Sequence, residues 1–319
     1  TKTSIFENNK EIYVVGSISN TKILNCNEVG YYPIVNSDKY GFLNDNKLWS
    51  KDKSHLIIVG DSWMSTACHS YKDSVAGQFK KTLEENDINL SPITLSYGNN
   101  GPLMQLASLT EYIGQLSPKI VLWVYYDGND FRDLDRELKN EILNKYLFTE
   151  GFSQNLAFKQ DFIDRKLKSR FLKEDYINKV YDVDNYHFKE FVKLFRLRDE
   201  ISFAINYKFK DTRKNKEENF NYFKKIILKA KKKTVSNNSD FYFVYLPDSW
   251  AIDSLSDIDD TNYLKITDFL KTENIKLIDF NKTLKSHSDP KSLMPFRVFG
   301  HFNKKGVNFF VEEVLSKLN

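Results

Sequence analysis

The run Leu56-Ile-Ile-Val-Gly-Asp-Ser-Trp63 is apolar until it meets Gly60, Asp61 and Ser62. A continuous apolar stretch closed by small polar residues reads as a strand buried on both faces, the signature of a parallel sheet. Its end places Ser62 at the carboxyl edge of the sheet, where open α/β folds carry their chemistry.

Other segments repeat the pattern. Ser91-Pro-Ile-Thr-Leu-Ser-Tyr-Gly98 is strand-like and runs into Asn99, Asn100 and Gly101, residues that tolerate a left-handed backbone. Ile120-Val-Leu-Trp-Val-Tyr-Tyr126 ends in Asp127, Gly128, Asn129 and Asp130. Phe241-Tyr-Phe-Val-Tyr-Leu-Pro247 and Ile275-Lys-Leu-Ile-Asp-Phe280 supply two more strands. Near the C-terminus, Gly300-His301-Phe302-Asn303 precedes an amphipathic helical pattern from Lys304 to Leu315. Serine, glycine, asparagine and histidine therefore gather at the ends of successive elements.

The ordered set Gly60-Asp61-Ser62, Gly98 or Gly101, Gly128-Asn129-Asp130 and His301 resembles the SGNH (GDSL-type) hydrolases, over the sheet-forming parts of residues 55–134 and 241–319. The resemblance implies a three-layer α/β/α, flavodoxin-like core with a five-stranded parallel sheet, and ester hydrolysis or acyl transfer. It implies Ser62 as nucleophile, His301 as base, and an oxyanion hole of the Ser62 amide, the Gly98 amide (Gly101 as alternative) and the Asn129 side chain. Asp61, Trp63, Asn99 and Asp130 flank these positions and are expected to contact substrate.

The chemistry asks for these residue types independently of the resemblance. A serine hydroxyl needs an adjacent base to remove its proton as it attacks. Imidazole titrates near neutrality and suits that task. Attack on an ester charges the carbonyl oxygen, which preorganised donors must stabilise. One family feature is absent: the aspartate two or three residues before the histidine is replaced by Val298 and Phe299. Asp289, Asp248 or a backbone carbonyl is left to orient His301, and Asp289 is placed first because it lies in the same loop.

Rival motifs fail. Ser62 is followed by Trp63 and Met64, so the Gly-x-Ser-x-Gly elbow is missing. No phosphate-cradling loop ends in Gly-Lys-Ser or Gly-Lys-Thr, and no residues show metal-ligand spacing, so no cofactor and no metal are expected. With 47 basic and 43 acidic residues the net charge is +4, too mild to argue for nucleic acid. Lys231-Lys-Lys233 then reads as a solvated helix end, His55, His187 and His287 as structural or surface residues, and His69 as a loop or helix-end residue, with a place at the pocket border as the alternative.

The 319 residues divide into an N-terminal β-rich extension (1–54), the SGNH-like core (55–134 and 235–319) and a helical insertion (135–234). Leaving the sheet after Asn129, the insertion is expected to act as a lid or substrate-recognition element. Within it Phe188, Phe191, Val192 and Phe195 share one helical face. The stretch Ser37-Asp-Lys-Tyr-Gly-Phe-Leu-Asn44 resembles a segment found upstream of the nucleophile strand in envelope-associated SGNH proteins, with a plain glycine turn as the equal alternative. From that likeness an acetyl ester of a saccharide or polysaccharide is the expected substrate and the cell envelope the expected setting. A glycan-binding or scaffold protein without catalysis, and a lipid esterase, are the competing expectations. Cys26 and Cys68 can pair, though nothing in the sequence brings them together. No run of eighteen apolar residues exists, so membrane association would need a segment outside this chain.

Overall fold

In the computed structural model the described residues are 3–28, 30–65, 68–173, 217–249, 261–297 and 300–318. Four short strands come first: β1 (Thr3–Glu7) pairs antiparallel with β2 (Lys10–Val14), and β3 (Lys22–Leu24) with β4 (Ile34–Asn36). The main sheet follows, built from β5 (His55–Val59), β6 (Ser91–Thr94), β7 (Pro118–Tyr126), β8 (Asp240–Leu246) and β9 (Lys276–Asp279). Its order is β6-β5-β7-β8-β9, with all pairs parallel. Counted within the sheet this is 2-1-3-4-5, the flavodoxin-like order, whose switch point lies between the first and third strands. Ser62 follows β5 and Asn129 follows β7, so both sit at that crevice.

The strands alternate between two apolar layers because successive side chains point to opposite faces. Leu56, Ile58, Leu122, Val124 and Val244 pack with Phe79, Phe280 and Phe310. The helices supplying that layer are α2 (Val75–Glu85), α9 (Phe280–Ser286) and α10 (Lys304–Leu315). Ile57, Val59, Val121, Trp123 and Phe243 face the other layer with Leu106, Phe223 and Ile266. These come from α3 (Pro102–Tyr112), α7 (Glu217–Val235) and α8 (Thr261–Thr272). The three-layer α/β/α core with five parallel strands is thus present as the apolar runs predicted.

Between α3 and α7 the chain adds α4 (Asp130–Glu137), α5 (Glu141–Phe148) and α6 (Gln160–Lys173). The buried carboxylate of Glu111, at the C-terminal end of α3, accepts hydrogen bonds from Tyr146 Oη, Ser153 Oγ and the amides of Gln154 and Leu156. This part of the insertion is therefore fastened to the end of α3 opposite its Gly101 cap. Phe188, Phe191, Val192, Phe195 and His187 lie outside the described residues. Lys231, in the basic run, donates to the carbonyls of Glu273 and Asn274, which closes the C-terminal end of α8.

The N-terminal extension is anchored at several buried points. Gln154 exchanges hydrogen bonds with the backbone of Tyr13, and Asp164 accepts from both the amide and hydroxyl of Ser19. In the 37–44 stretch, the fully buried Asp38 carboxylate accepts from the amides of Tyr40 and Phe42, from Asn44 Nδ2 and from Trp49 Nε1. Asn44 continues the link to edge strand β6, accepting from the Thr94 amide and donating to its carbonyl. Gly41 has φ of 79°, and a Cβ there would meet Ser17 O at 2.0 Å, so the turn requires glycine. Among the described residues, no helix is long and apolar enough to cross a membrane.

Candidate active site

Ser62 opens the single-turn helix α1 (Ser62–Ser65) directly beyond β5. The turn is tight: the amides of Met64 and Ser65 both donate to Asp61 O, and the Trp63 amide donates to Asp61 Oδ1. Gly60 is needed here because an added Cβ would lie 2.7 Å from Met64 Cγ. These contacts leave Ser62 half-buried, with its hydroxyl at the sheet edge.

His301 approaches from the other end of the chain, held between Gly300 and α10. Asn303 caps α10 by accepting from the Gly306 amide, while Phe302 is buried in the apolar layer beneath. The result is a hydrogen bond of 2.8 Å between His301 Nε2 and Ser62 Oγ. The indole of Trp63 walls the imidazole, with ring centroids 5.1 Å apart, and is itself held by Tyr126 and Phe302.

The second imidazole nitrogen is taken by a residue the sequence reading did not name. Glu28, in the connection between β3 and β4, places Oε1 2.9 Å from His301 Nδ1 and accepts the His301 backbone amide on Oε2 at 2.8 Å. Asp289, expected in this role, instead forms a two-pronged pair with Arg297 at the surface. A guanidinium holds both carboxylate oxygens there, which removes Asp289 from contention. Asp248 accepts from Tyr126 Oη. Positions 298 and 299 lie outside the described residues.

The pairing fixes the electrostatics. Burial opposes the charged imidazolium of His301, but the hydrogen bond and charge of Glu28, with the Asp61 charge added, outweigh it and hold His301 above its ordinary value. Burial likewise pushes Glu28 up, and the neighbouring His301 overcomes this and holds the carboxyl below its ordinary value. Each partner thus favours the charged form of the other.

The expected oxyanion donors divide. A Cβ on Gly98 would lie 4.0 Å from Ser62 Cβ, so Gly98 sits beside Ser62. The Gly101 amide donates to Glu137 Oε1 at 2.6 Å, and a Cβ there would collide with Asp133. Gly101 is thereby committed to packing α3 against α4, which leaves Gly98 as the glycine beside Ser62. Asn129 stands at the N-cap of α4 without using its side chain as the cap. Its side chain lies by Asp61, whose carboxyl burial holds above its ordinary value, and opposes that rise only in part.

The four residues expected to contact substrate also separate. Asp61, Trp63 and Asp130 are buried at 2%, 4% and 0% exposure: Trp63 walls the imidazole from within, and Asp61 and Asp130 lie beneath the site. Asn99 is exposed, with φ of 63°. Burial raises the pKa of Asp61 and, more strongly, that of Asp130, and the Asp61 charge raises Asp130 further. Among the described residues the other histidines are engaged structurally: His69 Nε2 meets Phe302 O and His55 Nε2 meets Leu48 O, while His287 Nδ1 accepts the Asp289 amide.

Cys26 and Cys68 form a disulfide. It joins the loop carrying Glu28 to the segment just after α1. Glu28, Cys68 and His301 lie close enough together to surround a metal ion, but the Cys68 sulfur is bonded to Cys26 and the other two side chains to each other.

No family model and no curated protein sequence matches the chain. Among solved structures it is similar to the acetyl xylan esterase AlAXEase, with 13% identity and a TM-score of 0.44 over 83% of this chain and 100% of that one. It is similar to the psychrotrophic esterase EstA from Pseudoalteromonas sp., with 12% identity and a TM-score of 0.42 over 83% and 96% of the two chains. The lipase/acylhydrolase from Enterococcus faecalis gives 10% identity and a TM-score of 0.43 over 83% and 95%.

Proposed function

We propose that the chain is a serine ester hydrolase of SGNH type, acting through a Ser62 acyl-enzyme. The observation that carries this reading is the continuous relay from Ser62 Oγ to His301 Nε2 at 2.8 Å and from His301 Nδ1 to Glu28 Oε1 at 2.9 Å. A nucleophile, a base and a group that orients the base are the parts that acyl transfer needs.

In the first half-reaction His301 Nε2 takes the Ser62 proton as Oγ attacks the ester carbonyl. Glu28 keeps the Nδ1 proton in place, so that Nε2 is the free base, and stabilises the imidazolium that forms. Negative charge on the carbonyl oxygen is met by the amides of Ser62 and Gly98 and by Asn129 Nδ2, donors of a kind worth about 3–4 kcal/mol each. The imidazolium then protonates the leaving alcohol. In the second half-reaction the same base activates water, and the acid departs from Ser62.

The substrate class we put forward is an O-acetylated saccharide, on the likeness of residues 37–44 to envelope-associated members. A sugar hydroxyl in place of water would make the same site a transferase. The relay favours catalysis over a binding role, because a glycan-binding site has no use for a serine held on an oriented imidazole.

Hydrolysis of p-nitrophenyl acetate by the parent and by Ser62→Ala tests the reading. Turnover lost in the variant supports it, and equal rates in both would sink it. A series of p-nitrophenyl esters of rising chain length separates acetyl preference from a lipid esterase, which would favour the longer chains.

A further inference from the structure

The acid of the relay does not belong to the element that carries the base. Glu28 lies between β3 and β4, a hairpin of three paired residues on each strand, and a two-stranded ribbon of this size is at best marginally stable by itself. Within the loop the Asn25 amide donates to Pro33 O and the Gly30 amide to Asn27 Oδ1, both local bonds. Asn25 Nδ2 reaches His69 O at the long distance of 3.4 Å. The covalent tie is of another order: Cys26, two residues before Glu28, is bonded to Cys68, six residues after Ser62. Cys26 is exposed and Cys68 is buried, so the bond presents one sulfur to solvent and roots the other beside the nucleophile turn.

We propose that the Cys26–Cys68 disulfide is the positioning element that keeps Glu28 on His301, and that its reduction disables the relay while leaving the α/β/α core folded. The inference rests on the reading of Ser62, His301 and Glu28 as an acyl-transfer relay. In the reducing step a dithiol attacks the exposed Cys26 sulfur, the bond to Cys68 breaks, and a second thiolate displaces Cys26. The dithiol closes to a cyclic disulfide, and two electrons and two protons pass to the cysteines. Freed of the tie, the loop no longer fixes the carboxylate. Misplacement of a catalytic partner by about 1 Å can lower a rate on the order of 10²-fold.

The test compares the oxidised parent, the dithiothreitol-reduced parent and Cys26→Ser/Cys68→Ser, each beside its Glu28→Gln counterpart, with circular dichroism to check that the sheet persists. Reduction is expected to lower kcat of the parent on the order of 10²-fold and to add little in the Glu28→Gln background. The acid limb of kcat/KM is expected to move to lower pH on reduction, because His301 then loses the partner that raises its pKa. A proton resonance from His301 Nδ1, identified by its absence in His301→Ala, should be present in the oxidised parent and vanish on reduction. That readout needs no substrate.

Full activity after reduction, or the same fold-loss in the parent and in Glu28→Gln, would overturn the proposal, since a merely structural bond acts equally in both backgrounds. A His301 Nδ1 resonance that persists through reduction would do so as well. If oxidised Ser62→Ala retains turnover, the relay reading itself has failed, whereas the resonance would still report whether the disulfide holds Glu28 on His301.

Discussion

Glu28 meets His301 with both carboxylate oxygens, Oε1 on the ring nitrogen Nδ1 at 2.9 Å and Oε2 on the backbone amide at 2.8 Å. The double contact fixes the carboxylate against both the ring and the backbone of His301, while Ser62 Oγ takes the other ring nitrogen. The backbone contact also ties the loop that carries the base to the N-terminal extension, so the site is assembled from both ends of the chain.

Glu28→Gln is therefore expected to lower kcat by about 10²- to 10⁴-fold, the upper figure being that of the corresponding aspartate in serine proteases. The amide can present its NH₂ to Nδ1 and so favour the wrong tautomer. Asp289→Asn should leave kcat within about twofold, because its carboxylate is spent on Arg297 at an exposed site. Steady-state kinetics on p-nitrophenyl acetate check both, and a loss in the Asp289 variant alone would reverse the assignment.

The pH dependence follows from the same pair. His301 must be neutral to act as base, and Glu28 raises its pKa, so kcat/KM should rise with pH through a value above the ordinary imidazole range. Stability runs the other way. A folded-state pKa raised above the unfolded value gives stabilisation that is fully present below the unfolded value of about 6.5 and is lost as pH rises through the folded one. The depressed Glu28 carboxyl adds stabilisation present above its unfolded value and lost as pH falls through its folded one. The pair is thus most stabilising in mildly acidic solution, where a charged His301 would make the proposed hydrolysis slow. Denaturant midpoints across pH for the parent and His301→Ala measure the difference, which should shrink toward alkaline pH.

Two glycines near the site should behave differently. Gly300 has φ of 132°, where a side chain is strained, and its Cβ would lie 3.0 Å from Glu28 Oε2. Gly300→Ala is expected to displace the carboxylate and lower kcat on the order of tenfold or more. Gly98 has no such backbone demand, and its Cβ would make ordinary contact with Ser62 Cβ at 4.0 Å. Gly98→Ala should therefore fold normally, with its main effect on KM as the methyl narrows the approach to the hydroxyl. Equal effects of the two substitutions on kcat would show that this distinction is misplaced.

What could be read from the sequence was whatever local pattern controls. The five strands announced themselves because a doubly buried parallel strand is a continuous apolar run, and Ser62, Asn129 and His301 were legible because they follow such runs or open a helix. Glu28 was not legible. It sits in the polar stretch Asn25-Cys-Asn-Glu28, and its role arises from a contact across 273 positions that no periodicity encodes. The one available signal was the chain's two cysteines: had Cys68, close after Ser62, been paired with Cys26, the neighbourhood of Glu28 would have come to the nucleophile. Asp61, Trp63 and Asp130 looked like substrate contacts because they adjoin the motif residues, yet adjacency in sequence at a strand end alternates between facing the solvent and facing the core.

The extension that delivers Glu28 depends on Asp38. Its buried carboxylate collects four donors, two backbone amides together with Asn44 Nδ2 and Trp49 Nε1. Burial nevertheless dominates and pushes its pKa up to about 6. Because this pKa is above the unfolded value of about 3.9, the folded state binds the proton more readily, and stability falls as pH rises from about 4 to about 6. Asp38→Ala strands four donors in a dry site and should lower stability on the order of 3 kcal/mol. Asp38→Asn should not rescue it, since its NH₂ faces donors on one side. Urea denaturation near neutral pH measures the loss. Folded Asp38→Ala, with its Cys26–Cys68 bond intact, should keep its kcat, because that bond and not the turn holds Glu28 on His301; a loss of kcat in the folded variant would show that the turn positions the acid as well.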